Sequence, residues 1–284
     1  MPELPEITSR TLEINQHLAG KTIIGIEVIQ PKSLNIPVDQ FTAALTGASL
    51  RSAVAHGKWI VIDTTQGWLL FNLGMGGELL LVTRSTLPEK RRLVFDFNDG
   101  TCLAVNFWWF GYAHYAPLDQ LNAHPMLARL GPNALDISLE QFQSLLAGQR
   151  SSVKSFLLDQ SRIAGIGNAY IHDILFLAHL HPFRSLASLN SQEVKNLYHA
   201  IHQGLEPSLQ KGGAFYETNL LGQKGALFLK ISWLAIVKAS FARPVELRSR
   251  KLKLARQAAL SVLLASQLLQ LQFNYFIRIN TFAN

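Results

Sequence analysis

Apolar positions Leu4, Ile7, Ile14 and Leu18 fall on one face of a helical repeat, and Gly20 follows as a stop, so the chain opens on a helix. The period then shortens. "TIIGIEVI", "KWIVID", "WLLFNL", "ELLLVT", "RLVFDF" and "CLAVNF" are short β-branched or aromatic runs. Turn chemistry separates them, including "TTQG" and the "NDG" at Asn98–Gly100. Six or more such strands predict an antiparallel sandwich or barrel. From Ile137 to about Lys211 the pattern is helical, and Asn190 with Glu193 three residues on reads as a capping pair. Between two helical runs lies "RIAGIGNAYIHDILFLAHLHP", in which a glycine turn opens a helix. The expected class is therefore α+β: a leading helix and an antiparallel β-sandwich over 1–130, a helical domain over 131–230, and a different segment over 231–284.

That last segment stands apart by composition. Its 54 residues hold no Gly, Asp, His or Cys, while all 19 glycines of the chain lie before it. It also carries the charge: 8 Lys+Arg against 1 Glu leave 26 − 8 = 18 basic and 19 − 1 = 18 acidic residues in the body. The net +7 of the whole chain is thus a property of the tail, and it supports nucleic-acid binding only weakly. With 48% apolar residues over the whole chain, the body is globular. "MPELPE" is acidic and unlike a signal peptide, and "LSVLLASQLLQL" is too short to span a bilayer. The single cysteine, Cys102, excludes an internal disulfide and a multi-cysteine metal site. A cytoplasmic protein is expected.

Several residues could carry chemistry. Removal of Met1 would leave Pro2 as a free secondary amine titrating near about 8, below lysine's ~10.4. Such an amine can attack a sugar C1′ aldehyde carbon and form an iminium. Glu3 and Glu6 stand beside it as proton-transfer groups; many chains begin "MP" with nearby acids and no catalytic role. Lys58 follows a tight Gly57 turn into a strand, an exposed position from which an ammonium reaches phosphate, or a solvated strand-edge lysine. "GIGN", Gly165–Asn168, lets backbone approach a phosphate at a helix start, or simply connects two helices. Met75 lies between glycines at a hairpin, and Phe107, Trp108, Trp109 and Phe110 precede Gly111. Exposed, they would wedge into a base stack; two of the four aromatics are expected in the core. His179/His181 and His199/His202 lack the acidic or cysteine partners of a metal set.

The order of these pieces is more specific than any one. "MPELPE", "GK" near 58, "LGMGG", "LGPNAL", "VKSFLLDQSRIAGIGNAY", "LHPFR" and "KGGAFYETNLLG" together resemble the formamidopyrimidine-DNA glycosylase / endonuclease VIII family over about residues 1–230. The resemblance implies a β-sandwich and a helix-two-turn-helix domain with double-stranded damaged DNA in the cleft between them. It implies a monomeric base-excision repair enzyme that flips an oxidised purine out of the duplex. The N-terminal proline then expels the base, and β/δ-elimination through the Schiff base cuts the strand. Carried over, Pro2 is the nucleophile, Glu3 the general acid/base and Lys58 a phosphate contact and proton donor. Gly165, Gly167 and Asn168 match the phosphate-binding turn, Lys154 a lysine near the lesion, and Met75 a void-filling residue.

Two departures matter. The family's "DPRRFG" loop is "NFWWFG" here: Phe110 keeps the aromatic wedge, but Trp108 replaces an arginine that bonds the orphaned base. An indole stacks without reading a base edge, so opposite-base discrimination is in question. The family also ends in a zinc ribbon, C-x2-C-x16-C-x2-C, and none of its four cysteines is present, so no cofactor is expected in the chain as written. One set of codons for "FARPVELRSRKLKLAR", read two nucleotides on, gives C-P-P-C-G-T-A-I-E-K-T-Q-T-G-K; "SVLLAS" likewise gives C-P-x-C-Q, 16 residues further. The tail thus reads as a zinc ribbon out of frame, with the shift near residues 225–235, against the alternative of a basic helix that binds DNA by charge. Beside the glycosylase/AP lyase reading stand a crippled or non-catalytic damaged-DNA-binding protein and an unrelated helix–turn–helix protein.

Overall fold

The structure is a computed structural model, and it describes residues 1–226 apart from Trp109 and Phe215. Helix α1 (Leu4–His17) opens the chain, with Pro5 in its first turn, where no intrahelical N–H is needed. Glu6 reaches back to accept the Glu3 N–H at 2.9 Å, which closes the helix start. Eight strands follow, with a short helix α2 (Val38–Leu45) after the first. They are β1 (Ile23–Val28), β2 (Leu50–His56), β3 (Trp59–Thr64), β4 (Gly67–Asn72), β5 (Glu78–Thr83), β6 (Leu93–Phe97), β7 (Thr101–Asn106) and β8 (Tyr112–Ala116).

The strands form two antiparallel four-stranded sheets, ordered β1-β6-β7-β5 and β2-β3-β4-β8. Their inner faces close on Phe71, Phe95, Phe97, Leu103 and Phe107, joined by Ile7 and Ile14 of α1 and Phe41 of α2. Burying each such side chain contributes about 1.5–3 kcal/mol. Two strands and α2 escape the sequence pattern. Both missed strands, β2 and β8, are sheet edges: β2 mixes Arg, Ser and His with its apolar residues, and β8 buries two alanines and His114. The order of strands also corrects one expectation. Strands β4 and β5 lie in different sheets, so Met75 sits on a crossover between sheets and not in a hairpin.

The helical half contains α3 (Leu139–Leu146), α4 (Val153–Leu158), α5 (Ile171–Leu177) and α6 (Ser191–Gln210). Asn190 caps α6 as expected: its side chain accepts from Glu193 N and Glu193 accepts from Asn190 N, both at 2.9 Å. A second core gathers Phe142, Phe156, Tyr170, Ile174, Leu197, Ile201 and Leu205. Leu4 belongs to this core, whereas Ile7 and Ile14 belong to the sandwich core. Helix α1 is therefore shared between the halves and packs on β2, β3 and α6. The residues at its start lie where the two halves meet. The tail 231–284 lies outside the described residues.

Candidate active site

The "GIGN" turn and the start of α1 are one unit. Leu4 N donates to Gly165 O at 3.0 Å, and the Glu3 carboxylate accepts from Gly167 N at 2.6 Å and Ala169 N at 2.9 Å. Both glycines are required by close approach. A Cβ on Gly165, whose φ is +103°, would lie 2.5 Å from Leu4 Cβ. A Cβ on Gly167 would lie 2.3 Å from both Glu3 Oε1 and Lys58 Nζ, so the Glu3 and Lys58 side chains converge on this backbone.

Lys58 reaches that point from the β2–β3 hairpin, whose turn Gly57 adopts φ +57°. Its side chain is half-buried, not exposed as the sequence suggested. Burial pulls the Lys58 ammonium below the usual lysine range, against the attraction of Glu3 and Glu6. Glu3 moves the other way: burial raises its carboxyl, outweighing Lys58 and the two backbone N–H donors. Each group is thus shifted toward its neutral form, the condition for proton transfer near neutral pH.

Two side chains that sequence reasoning passed over hold this arrangement. Gln160 accepts from Gly165 N at 3.0 Å and donates to Ile166 O at 2.8 Å, fixing the turn. Asn133, inside "LGPNAL", accepts from Gly57 N at 2.6 Å and donates to Ala55 O at 3.0 Å, fixing the Lys58 hairpin. Glu6 is an anchor: it accepts from Tyr170 Oη, from Ser208 Oγ at 3.1 Å and from Ala214 N at 3.1 Å.

Pro2 is buried beside Glu3, and its nitrogen is acylated by Met1. The Met1 ammonium lies 3.8 Å from Glu217 Oε1. Glu217 falls inside "KGGAFYETNLLG", but its local sequence alone assigns it no role. Its carboxyl is 8% exposed and pushed up to about 7, by burial first, against the terminal ammonium, with Glu6 adding to the rise. A cavity of about 300 Å³ opens here between Met1, Lys58, Asn72, Phe110, Tyr112 and Gln160, among others.

Phe110 lines this cavity, and Met75 and Trp108 share its interlocked loops. Met75, Trp108 and Phe110 are 47%, 67% and 45% exposed, whereas Phe107 is in the core; Trp109 lies outside the described residues. The crossover carrying Met75 interlocks with the loop carrying the aromatics. A Cβ on Gly74 would meet Phe110 O at 1.6 Å, and one on Gly76 would meet the Trp108 ring at 2.9 Å. Asn168 is exposed at the turn before α5. Lys154 stands on α4 with its charge acting on His172.

A β-sandwich and a helix-two-turn-helix half that meet at the buried Pro2–Glu3 start of α1 define the class of damaged-base DNA glycosylases. Residues 1–106 match the family profile "Formamidopyrimidine-DNA glycosylase N-terminal domain", and residues 130–219 match "Formamidopyrimidine-DNA glycosylase H2TH domain". The formamidopyrimidine-DNA glycosylase of Legionella pneumophila subsp. pneumophila is 33% identical over 221 residues, covering 75% of this chain and 79% of its own. That of Streptococcus mutans is 29% identical over 234 residues, covering 80% and 85%. The Lactococcus lactis Fpg in complex with DNA containing N7-benzyl-Fapy-dG superposes with a TM-score of 0.73 at 27% identity, covering 79% and 85%. The chain belongs to the formamidopyrimidine-DNA glycosylase family of base-excision repair enzymes.

Proposed function

We propose that this chain removes oxidised purines of the formamidopyrimidine type from duplex DNA and cuts the strand at the resulting abasic site. The observation that carries the reading is the convergence of Glu3 and Lys58 on Gly167 beside Pro2. With Met1 removed, the Pro2 amine attacks C1′ of the flipped nucleotide. Glu3, its carboxyl raised by burial, supplies a proton to the departing base and to the opening ring. Lys58, lowered by the same burial, stabilises the neighbouring phosphate and gives up a proton as elimination proceeds. Gly165, Gly167 and Asn168 receive a phosphate at the turn, Lys154 acts near the lesion, and Met75, Trp108 and Phe110 fill the space left by the flipped base. The halves 1–130 and 131–230 hold the duplex between them, as a monomer in the cytoplasm. No helix among the described residues is long and apolar enough to cross a membrane.

The family's structural zinc does not fit the residues present. The chain has a single cysteine, Cys102, buried in the sandwich with its thiol donating to Asp96 at 3.2 Å, so a four-thiolate site cannot be assembled. No step above passes through a metal.

Borohydride trapping on a duplex with one abasic site tests the reading. The chain with Met1 removed is expected to form a covalent adduct, and the chain with Met1 retained to fall by at least about 100-fold. Equal trapping by both forms would overturn it.

A further inference from the structure

The Met1–Pro2 amide has the shape of the covalent intermediate. In the ring-opened Schiff base, the Pro2 nitrogen is bonded to C1′, and C1′ carries a hydrogen and C2′. In this chain the same nitrogen is bonded to the Met1 carbonyl carbon, which carries an oxygen and Cα. Both linkages are planar about the carbon–nitrogen bond. The Met1 carbonyl carbon therefore stands in for C1′, Met1 Cα for C2′, and the α-nitrogen for a substituent on C2′. That nitrogen faces Glu217 Oε1 at 3.8 Å.

Glu217 is held there from both ends of its loop. Ala214 N donates to Glu6 Oε1 at 3.1 Å and Leu220 N donates to Glu13 Oε2 at 2.8 Å, tying the loop to α1. Leu220 O accepts from Leu81 N at 2.8 Å, and the Leu220 side chain is fully buried in the sandwich core. Glu6 and Arg10 act on the carboxyl from α1 and Lys224 from the same loop, while Tyr216 adjoins it in sequence. The Glu217 carboxylate faces the terminal ammonium, a group that removal of Met1 takes away.

We propose that Glu217 is the general base that takes the C2′ proton in the β-elimination step, an assignment that rests on Pro2 as the nucleophile. The C2′–H bond breaks and the proton passes to a Glu217 carboxylate oxygen. Its electron pair forms C1′=C2′ and neutralises the iminium nitrogen. Collapse of this enamine restores the iminium, forms C2′=C3′ and breaks the C3′–O bond, whose electrons leave on the phosphate. Water then hydrolyses the unsaturated iminium and frees Pro2. Burial raises this carboxyl, which makes it a stronger base than an ordinary glutamate.

The experiment uses the full chain with Met1 removed on a duplex with one abasic site, following borohydride trapping and strand scission together. In E217Q, trapping is expected at the wild-type rate while scission slows by about 100-fold. A rise of wild-type scission with pH should flatten in E217Q and persist in E217D, which should recover part of the rate. Unchanged scission in E217Q overturns the proposal, as does an equal loss of trapping and scission. If E217Q binds a duplex with an inert tetrahydrofuran site less well, E217D decides: partial recovery with the pH inflection supports the assignment, and no recovery contradicts it. Absence of trapping in the wild-type chain would instead remove the Pro2 reading and this one with it.

Discussion

Glu3 and Glu6 are 3% and 2% exposed, and each of their four carboxylate oxygens accepts a hydrogen bond across the junction or within the helix start. Met75, Trp108 and Phe110 stand on two interlocked loops, with Phe110 lining the cavity that Lys58 also lines, and each is more than 40% exposed. Their loops are held by glycine-permitted contacts between backbones. The difference separates two tasks. Proton transfer needs groups fixed to within a fraction of an ångström and shielded from water, so it is built from buried charge tied to backbone N–H donors. Filling a gap in a base stack needs apolar surface that is exposed before DNA arrives, so it is built on a protruding loop.

The comparison breaks most sharply at Gly167. G167A would push a methyl group into Glu3 Oε1 and Lys58 Nζ, and scission of an abasic duplex is expected to fall by about 100-fold. A G167A chain of wild-type activity would show that the convergence is idle. Tyr170→Phe removes a donor from buried Glu6 and should lower unfolding stability by about 1–3 kcal/mol in urea titration, with Glu3 still held by Gly167 and Ala169.

A third outcome concerns the floor behind the cavity, where Trp59 and Tyr112 stack against a histidine pair. His124 Nδ1 accepts from Leu127 N, so His124 Nε2–H donates to His114 Nδ1 at 3.0 Å. Both rings are neutral, and burial first, then His124, pushes His114 down to about 4. The stability this gives is complete above the unfolded value of about 6.5 and is lost as pH falls through 4, by roughly 3 kcal/mol in denaturant titrations. His114→Phe should flatten that slope. The smallest structural effect is expected at the rim. Trp108→Ala should change stability by less than about 0.5 kcal/mol yet weaken binding to an abasic duplex by about 5–30-fold, whichever base lies opposite. A dependence on the opposite base would assign Trp108 an edge-reading role.

Much of this was legible in sequence for uneven reasons. The inner strands alternate or run apolar because both sheets bury them, whereas edge strands β2 and β8 carry too little apolar signal to be read alone. Pro2, Glu3, Lys58 and the Gly165–Asn168 turn stand out only by their order, since each alone fits an ordinary helix start, strand edge or connection. Asn133, Gln160 and Glu217 lie inside quoted motifs, but their roles were not legible. Asn133 and Glu217 work through partners the fold delivers from elsewhere, as when Asn133 meets Gly57 from 76 positions away, whereas Gln160 fixes its own turn at Gly165 and Ile166. Lys58 read as exposed because nothing in "HGKWIVID" tells that Gly167 will close over it.

The most direct test of the central claim is to digest the borohydride-trapped adduct of the processed chain and sequence the modified peptide by tandem mass spectrometry. The account predicts that the sugar remnant sits on the nitrogen of Pro2, in the peptide that begins "PELPE". A remnant on Lys58, the other amine at Gly167, would contradict it and move the nucleophile from the start of α1 to the β2–β3 turn.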